Sequence, residues 1–123
     1  MPIMVCRLTK EFSFEAAHKL PYVATDHPCG QLHGHSYRVE IAVEGEVDPK
    51  LGWVYDLSQI SEAMNPIVSQ LDHHYLNEIA GLENPTVEML CAWLWERLAP
   101  LCPGLCEIVI WETARARCSY RGK

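Results

Sequence analysis

From His33 to Gly45 the chain alternates apolar and polar residues without interruption. His33, His35, Tyr37, Val39, Ile41 and Val43 fall on one side of an extended backbone; Gly34, Ser36, Arg38, Glu40, Ala42 and Glu44 fall on the other. A helix would scatter this set around its axis. A strand with one buried face and one wet face accommodates it, and that pattern belongs to antiparallel sheets. Both histidines stand at one end of the apolar face.

The rest of the chain is read around this strand. Arg7–His18 predicts a second strand, with Phe12, Phe14, Ala16 and His18 on one face. Pro21 to Gly30 reads as a loop, and Trp53–Tyr55 as a short extended piece. Asp56, with Gln59 three residues on, forms a capping-box pattern before a stripe of Leu57, Ile60, Met64, Ile67 and Leu71. This predicts an amphipathic helix, kinked or broken at Pro66. Asn84-Pro85-Thr86 marks a second helix start, with Val87, Leu90, Cys91, Leu94, Leu98 and Leu101 as its buried face and Pro100, Pro103 and Gly104 as its end. Strands are expected at Cys106–Thr113 and Cys118–Arg121. The order ββααββ is an α+β domain with a four-stranded antiparallel sheet and both helices on one face. At 123 residues the chain is one domain, residues 1–123.

Charge narrows the function. Sixteen Asp and Glu against ten Lys and Arg give a net charge of −6, the wrong sign for nucleic acid or a membrane surface. A small anionic substrate in a local basic pocket remains compatible. No apolar run reaches the length of a bilayer span, and the first residues lack a secretory apolar segment, so a cytoplasmic location is expected. The six cysteines then read as reduced thiols, with no CxxC pair among them.

Three histidines form a set. His33-Gly34-His35 places two imidazoles on one strand face, and His18 ends the neighbouring strand on its apolar face. If these strands pair antiparallel, His18 lies opposite the pair. Three neutral imidazoles without a fourth side-chain ligand describe an open zinc site; the plainer reading is polar residues at strand ends. Cys29, four residues before His33, is a fourth ligand, a free nucleophile or base, or an inert small residue. Asp72-His73-His74 reads as an acid orienting an imidazole, or as an ordinary helix C-terminus. Glu112 closes an apolar strand face. It would suit a heterocycle with two adjacent N–H groups, or simply mark an exposed strand end.

Together FSFEAAHKL, CGQLHGHSYRVEI, LDHHYLN, ENPTVE and WETA resemble the 6-pyruvoyltetrahydropterin synthase and 6-carboxytetrahydropterin synthase family, in order and through nearly the whole chain. The three-residue gap between Cys29 and His33, with GWVYDL and LDHHYLNEI, resembles the carboxy-forming branch that serves queuosine biosynthesis.

The resemblance implies the tunnelling fold, in which sheets of several subunits join into a barrel, giving a homo-oligomer expected to be a hexamer with sites at subunit interfaces. It implies zinc (Zn2+) on His18, His33 and His35. It makes Cys29 a proton-transfer group and not a ligand, and Asp72 with His73 a relay pair, His74 being the less certain neighbour. Glu112 would anchor the pterin ring, with Thr86 a secondary contact or only a helix cap. The implied substrate is 7,8-dihydroneopterin triphosphate, and the products are 6-carboxy-5,6,7,8-tetrahydropterin, acetaldehyde and triphosphate. Lys19, His27 and Arg38 are candidates for the triphosphate. Two other readings stand beside this one: the pyruvoyl-forming enzyme, without carbon–carbon cleavage, and a non-catalytic zinc-binding module. A zinc hydrolase would want a carboxylate beside the metal water, and no HExxH supplies it.

Overall fold

The computed structural model describes residues 2–123. Strand β1 (Val5–His18) and strand β2 (His33–Glu46) pair antiparallel along their whole length. Helix α1 (Leu57–Leu71) follows, then a two-residue strand β3 (His74–Tyr75) and helix α2 (Val87–Leu98). Strands β4 (Leu105–Thr113) and β5 (Ala116–Tyr120) complete one sheet of order β3-β1-β2-β4-β5.

The sheet therefore has five strands, not four. The added strand β3 runs parallel to β1, Ala16 opposite His74 and Ala17 opposite Tyr75. Two residues carry no periodicity, so nothing in the sequence pattern marks them. Three other expectations are corrected. Trp53–Tyr55 is irregular and does not pair. Pro66 does not break α1: it lies on the exposed side, where the carbonyl freed by its missing N–H faces water. Leu101 is 57% exposed, on a 3-10 turn beyond α2, while Trp93 is buried in its stead.

The apolar face of the sheet meets both helices. Phe14, Tyr37, Val39, Ile41, Ile108 and Ile110 from the strands pack with Ile60, Met64, Leu71, Leu90, Leu94 and Leu98 from the helices. Helix α1 lies over β1 and α2 over β4 and β5. Asp56 caps α1 by accepting the Ser58 N–H at 2.9 Å, and Thr86 caps α2 by accepting the Met89 N–H at 3.1 Å. The opposite face of the sheet carries no helix. No helix of the described residues is long and apolar enough to cross a membrane.

Candidate metal centre and its surroundings

The β1–β2 register puts His18 directly opposite His33 and Ala16 opposite His35. Period-two alternation then aims all three imidazoles at the helix-covered side, at one end of the core. One nitrogen of each lies within 4.8 Å of the others. Gly34, between the two β2 histidines, faces the other way; a Cβ there would come to 3.3 Å from the Ala16 carbonyl oxygen.

Hydrogen bonds fix how these rings present themselves. His18 Nδ1 lies 2.9 Å from the Pro85 carbonyl and 3.2 Å from the Tyr37 hydroxyl. His33 Nδ1 lies 2.7 Å from the Gln31 carbonyl. A carbonyl can only accept, so each Nδ1 carries the proton and each Nε2 presents a lone pair. Those two Nε2 atoms face each other at 2.9 Å. Two lone pairs at that distance repel, unless a cation lies against both. His35 Nε2 is buried with no hydrogen-bond partner and stands 3.5 Å from Glu112 Oε1. Burial pulls the His18 pKa down, only partly offset by the Pro85 carbonyl; burial likewise lowers that of His35 against the opposing pull of Glu112. Neutral rings with converging lone pairs and an orphaned buried nitrogen fit a divalent metal.

Glu112 shares the face of Ile108 and Ile110 on β4, so alternation turns it toward the triad, and the strand bulges at this point against β5. Trp111 pairs with Arg117 and Thr113 with Ala116, leaving Glu112 as the extra residue. The carboxylate expected at the end of an apolar strand face thus stands beside His35.

Cys29 sits on a 3-10 turn, Pro28–Gly30. Its carbonyl accepts the Leu20 N–H at 2.8 Å, which ties the turn to the segment just past His18. Gln31, which orients His33, follows directly. Thr86 spends its hydroxyl on the α2 cap, while its neighbour Pro85 supplies the carbonyl that orients His18.

Asp72 and His73 occupy a corner between α1 and β3. Asp72 Oδ1 accepts the Glu15 N–H at 2.8 Å, and the His73 N–H donates to the Glu15 carbonyl at 2.6 Å. Asp72 Oδ2 lies 3.0 Å from His73 Nδ1. The Glu15 amide, and then the His73 ring, hold the Asp72 carboxyl below the usual carboxylate range. His73 has φ of 59°, the left-handed region, alone among the described non-glycine residues. Its ring is exposed and lines a groove of about 610 Å3 that His35 of the triad also lines, with Glu15, Ala16, Ala17, Gly34, Ser36, His74 and Tyr75. The groove thus runs from the Asp72–His73 corner to one ring of the triad. His74 turns its Nδ1 to the Asp72 carbonyl at 2.8 Å.

Of the other cations, Arg38 lies on the helix-free face, stacked 4.0 Å over Trp111 and paired with Glu11 at 2.7 Å. Lys19 has its backbone held at both ends by the Asn77 amide, at 3.1 and 2.7 Å. His27 Nδ1 accepts the Cys29 N–H at 3.0 Å. All six thiols are free. The supports missed by sequence reasoning are backbone carbonyls, at Pro85 and Gln31, and the Asn77 amide. Backbone groups leave no trace in residue type, whereas Asn77 falls within the segment LDHHYLN.

These features define a small α+β protein with three imidazoles, placed so that they could hold a metal ion, at one end of its sheet. Residues 7–123 match the family described as 6-pyruvoyl tetrahydropterin synthase, and the chain belongs to that family. It is 39% identical over 117 residues to a 6-carboxy-5,6,7,8-tetrahydropterin synthase of Synechocystis, covering 90% of this chain and 89% of that protein. It is 35% identical over 112 residues to a dihydroneopterin monophosphate aldolase of Pyrococcus furiosus, covering 89% of this chain and 91% of that protein. The solved structure of 6-pyruvoyl tetrahydropterin synthase from Caenorhabditis elegans superposes with a TM-score of 0.90 at 27% identity, covering all of both chains. Three different reactions are named among these relatives, so membership alone does not choose one.

Proposed function

We propose that the protein is a zinc-dependent carbon–carbon lyase. It converts 7,8-dihydroneopterin triphosphate and water to 6-carboxy-5,6,7,8-tetrahydropterin, acetaldehyde and triphosphate, as a step of queuosine biosynthesis in the cytoplasm. The observation that carries this reading is Glu112 standing 3.5 Å from the imidazole triad, which puts an anchor for ring N–H groups beside a metal pocket. The carboxy-forming choice is supported by the 39% identical relative and by the three-residue gap between Cys29 and His33.

Each residue then has a task. His18, His33 and His35 would hold zinc. When bound, zinc would polarise the oxygens of the substrate side chain and ease removal of an adjacent proton. Glu112 accepts hydrogen bonds from the pterin ring and fixes its orientation, with Thr86 a secondary neighbour through the start of α2. Cys29 and His73 move protons between side chain and ring, and Asp72 holds the His73 ring in place. The ring is reduced as the side chain is oxidised, so no external redox partner is needed.

In keeping with the family resemblance, the site is completed by a second copy, in a homo-oligomer that we take to be a hexamer built on joined sheets. Such joining also hides the exposed edges at β3 and β5.

Mass analysis of the pterin product, from zinc-loaded protein and 7,8-dihydroneopterin triphosphate, tests the assignment. The expected product is 6-carboxytetrahydropterin. Pyruvoyltetrahydropterin as the end product would move the protein to the pyruvoyl-forming branch, and aldol cleavage products to the aldolase. A metal-loaded protein without turnover would leave the binding-module reading.

A further inference from the structure

His27 is a histidine that the reaction above does not use. Its backbone is extended, at φ −70° and ψ 135°, and it immediately precedes the 3-10 turn Pro28–Gly30. Three hydrogen bonds hold that turn from His27 onward. The His27 Nδ1 accepts the Cys29 N–H at 3.0 Å. The His27 carbonyl accepts the Gly30 N–H at 2.9 Å, and the Pro28 carbonyl accepts the Gln31 N–H at 3.1 Å. Pro28 has no N–H to satisfy. The imidazole therefore supplies the partner of the Cys29 amide, and the Leu20 N–H takes the carbonyl of the same residue at 2.8 Å.

The geometry points to His27 as a positioning residue that sets where the Cys29 thiol stands, through the Cys29 backbone and not through substrate. The inference rests on Cys29 being a proton-transfer group, as proposed above. Cys29 is bounded on one side by its hydrogen bond to the His27 ring and on the other by Gln31, whose carbonyl orients His33 at 2.7 Å. Removing the ring leaves the Cys29 N–H without its partner, in a three-residue helix then held only by its backbone bonds at Gly30, Gln31 and Leu20. A displacement near 1 Å at a proton-transfer group costs about 10²-fold in rate. Asparagine is the conservative replacement, because its side-chain oxygen accepts the N–H two residues on in the same local geometry.

The test compares His27→Ala and His27→Asn with the zinc-loaded wild type in steady-state kinetics, zinc content and hydrogen exchange at the Cys29 amide. His27→Ala should lower kcat by about 10²-fold with KM changed less than about threefold and zinc retained. Its Cys29 amide should exchange about tenfold faster, the scale of one lost hydrogen bond. His27→Asn should restore both. A rise in KM with kcat preserved would overturn the inference and make His27 a triphosphate contact. Asparagine performing no better than alanine, or Cys29 exchange unchanged, would overturn it as well. Wild-type protein inactive on the pterin would overturn the reaction assigned above; the exchange rates of the two variants would then decide the capping role by themselves.

Discussion

His18 and His33 face each other Nε2 to Nε2 across 2.9 Å, each with its other ring nitrogen against a backbone carbonyl. Both facing nitrogens are lone-pair acceptors, so the pair is at ease only with a cation between them. Prolonged chelation should abolish turnover and lower the thermal midpoint, and zinc should restore both. Metal at a thousandfold over its dissociation constant adds about 4 kcal/mol to stability. His18→Ala should lose the metal. Full activity from protein shown to be metal-free would refute this assignment.

Cys29 is separated from the triad's hydrogen-bond scheme, in which no thiol takes part. Cys29→Ala should therefore keep zinc and the fold. Turnover should fall by about 10²–10⁴-fold, as for a lost acid–base group. Zinc analysis beside the kinetics separates the two roles: zinc lost together with activity would make Cys29 a ligand.

Asp72 holds Glu15 and His73 at once, and the Glu15 amide keeps its carboxyl more acidic than in the unfolded chain. A depressed carboxyl contributes stability above its unfolded pKa, about 3.9, and loses it as pH falls through the lower folded value. Asp72→Asn keeps an acceptor for the Glu15 N–H and removes the charge. The difference in urea midpoint between wild type and Asp72→Asn should shrink as pH falls below about 4. A difference that grew below about pH 4 would contradict the clamp.

The proposed homo-oligomer would complete each site with groups from two copies of the chain. Cys29→Ala and His73→Ala should each be inactive alone. Mixed, dissociated and reassembled, they should recover part of the wild-type rate, because some sites then draw both intact groups from different chains. An active monomer in sedimentation would rule this out.

Much of this was legible in the sequence because it depends on side-chain period. Alternation from His33 onward fixes the face of His35, and the opposite strand ending at His18 fixes the third ring. What escaped depends on backbone. β3 is a two-residue parallel pairing created by the return of α1 and bolted at Glu15, with no pattern of its own. Pro66 misled because the cost of proline depends on which side of the helix its missing N–H falls, and here it falls toward water. The bulge that leaves Glu112 unpaired is likewise a matter of register, which residue types alone do not encode.

The choice of reaction rests on how the side chain of the substrate is cut, and acetaldehyde reports that cut directly. Zinc-loaded protein given 7,8-dihydroneopterin triphosphate should release acetaldehyde, triphosphate and 6-carboxytetrahydropterin in equal amounts. Triphosphate released with pyruvoyltetrahydropterin and no acetaldehyde would contradict the account.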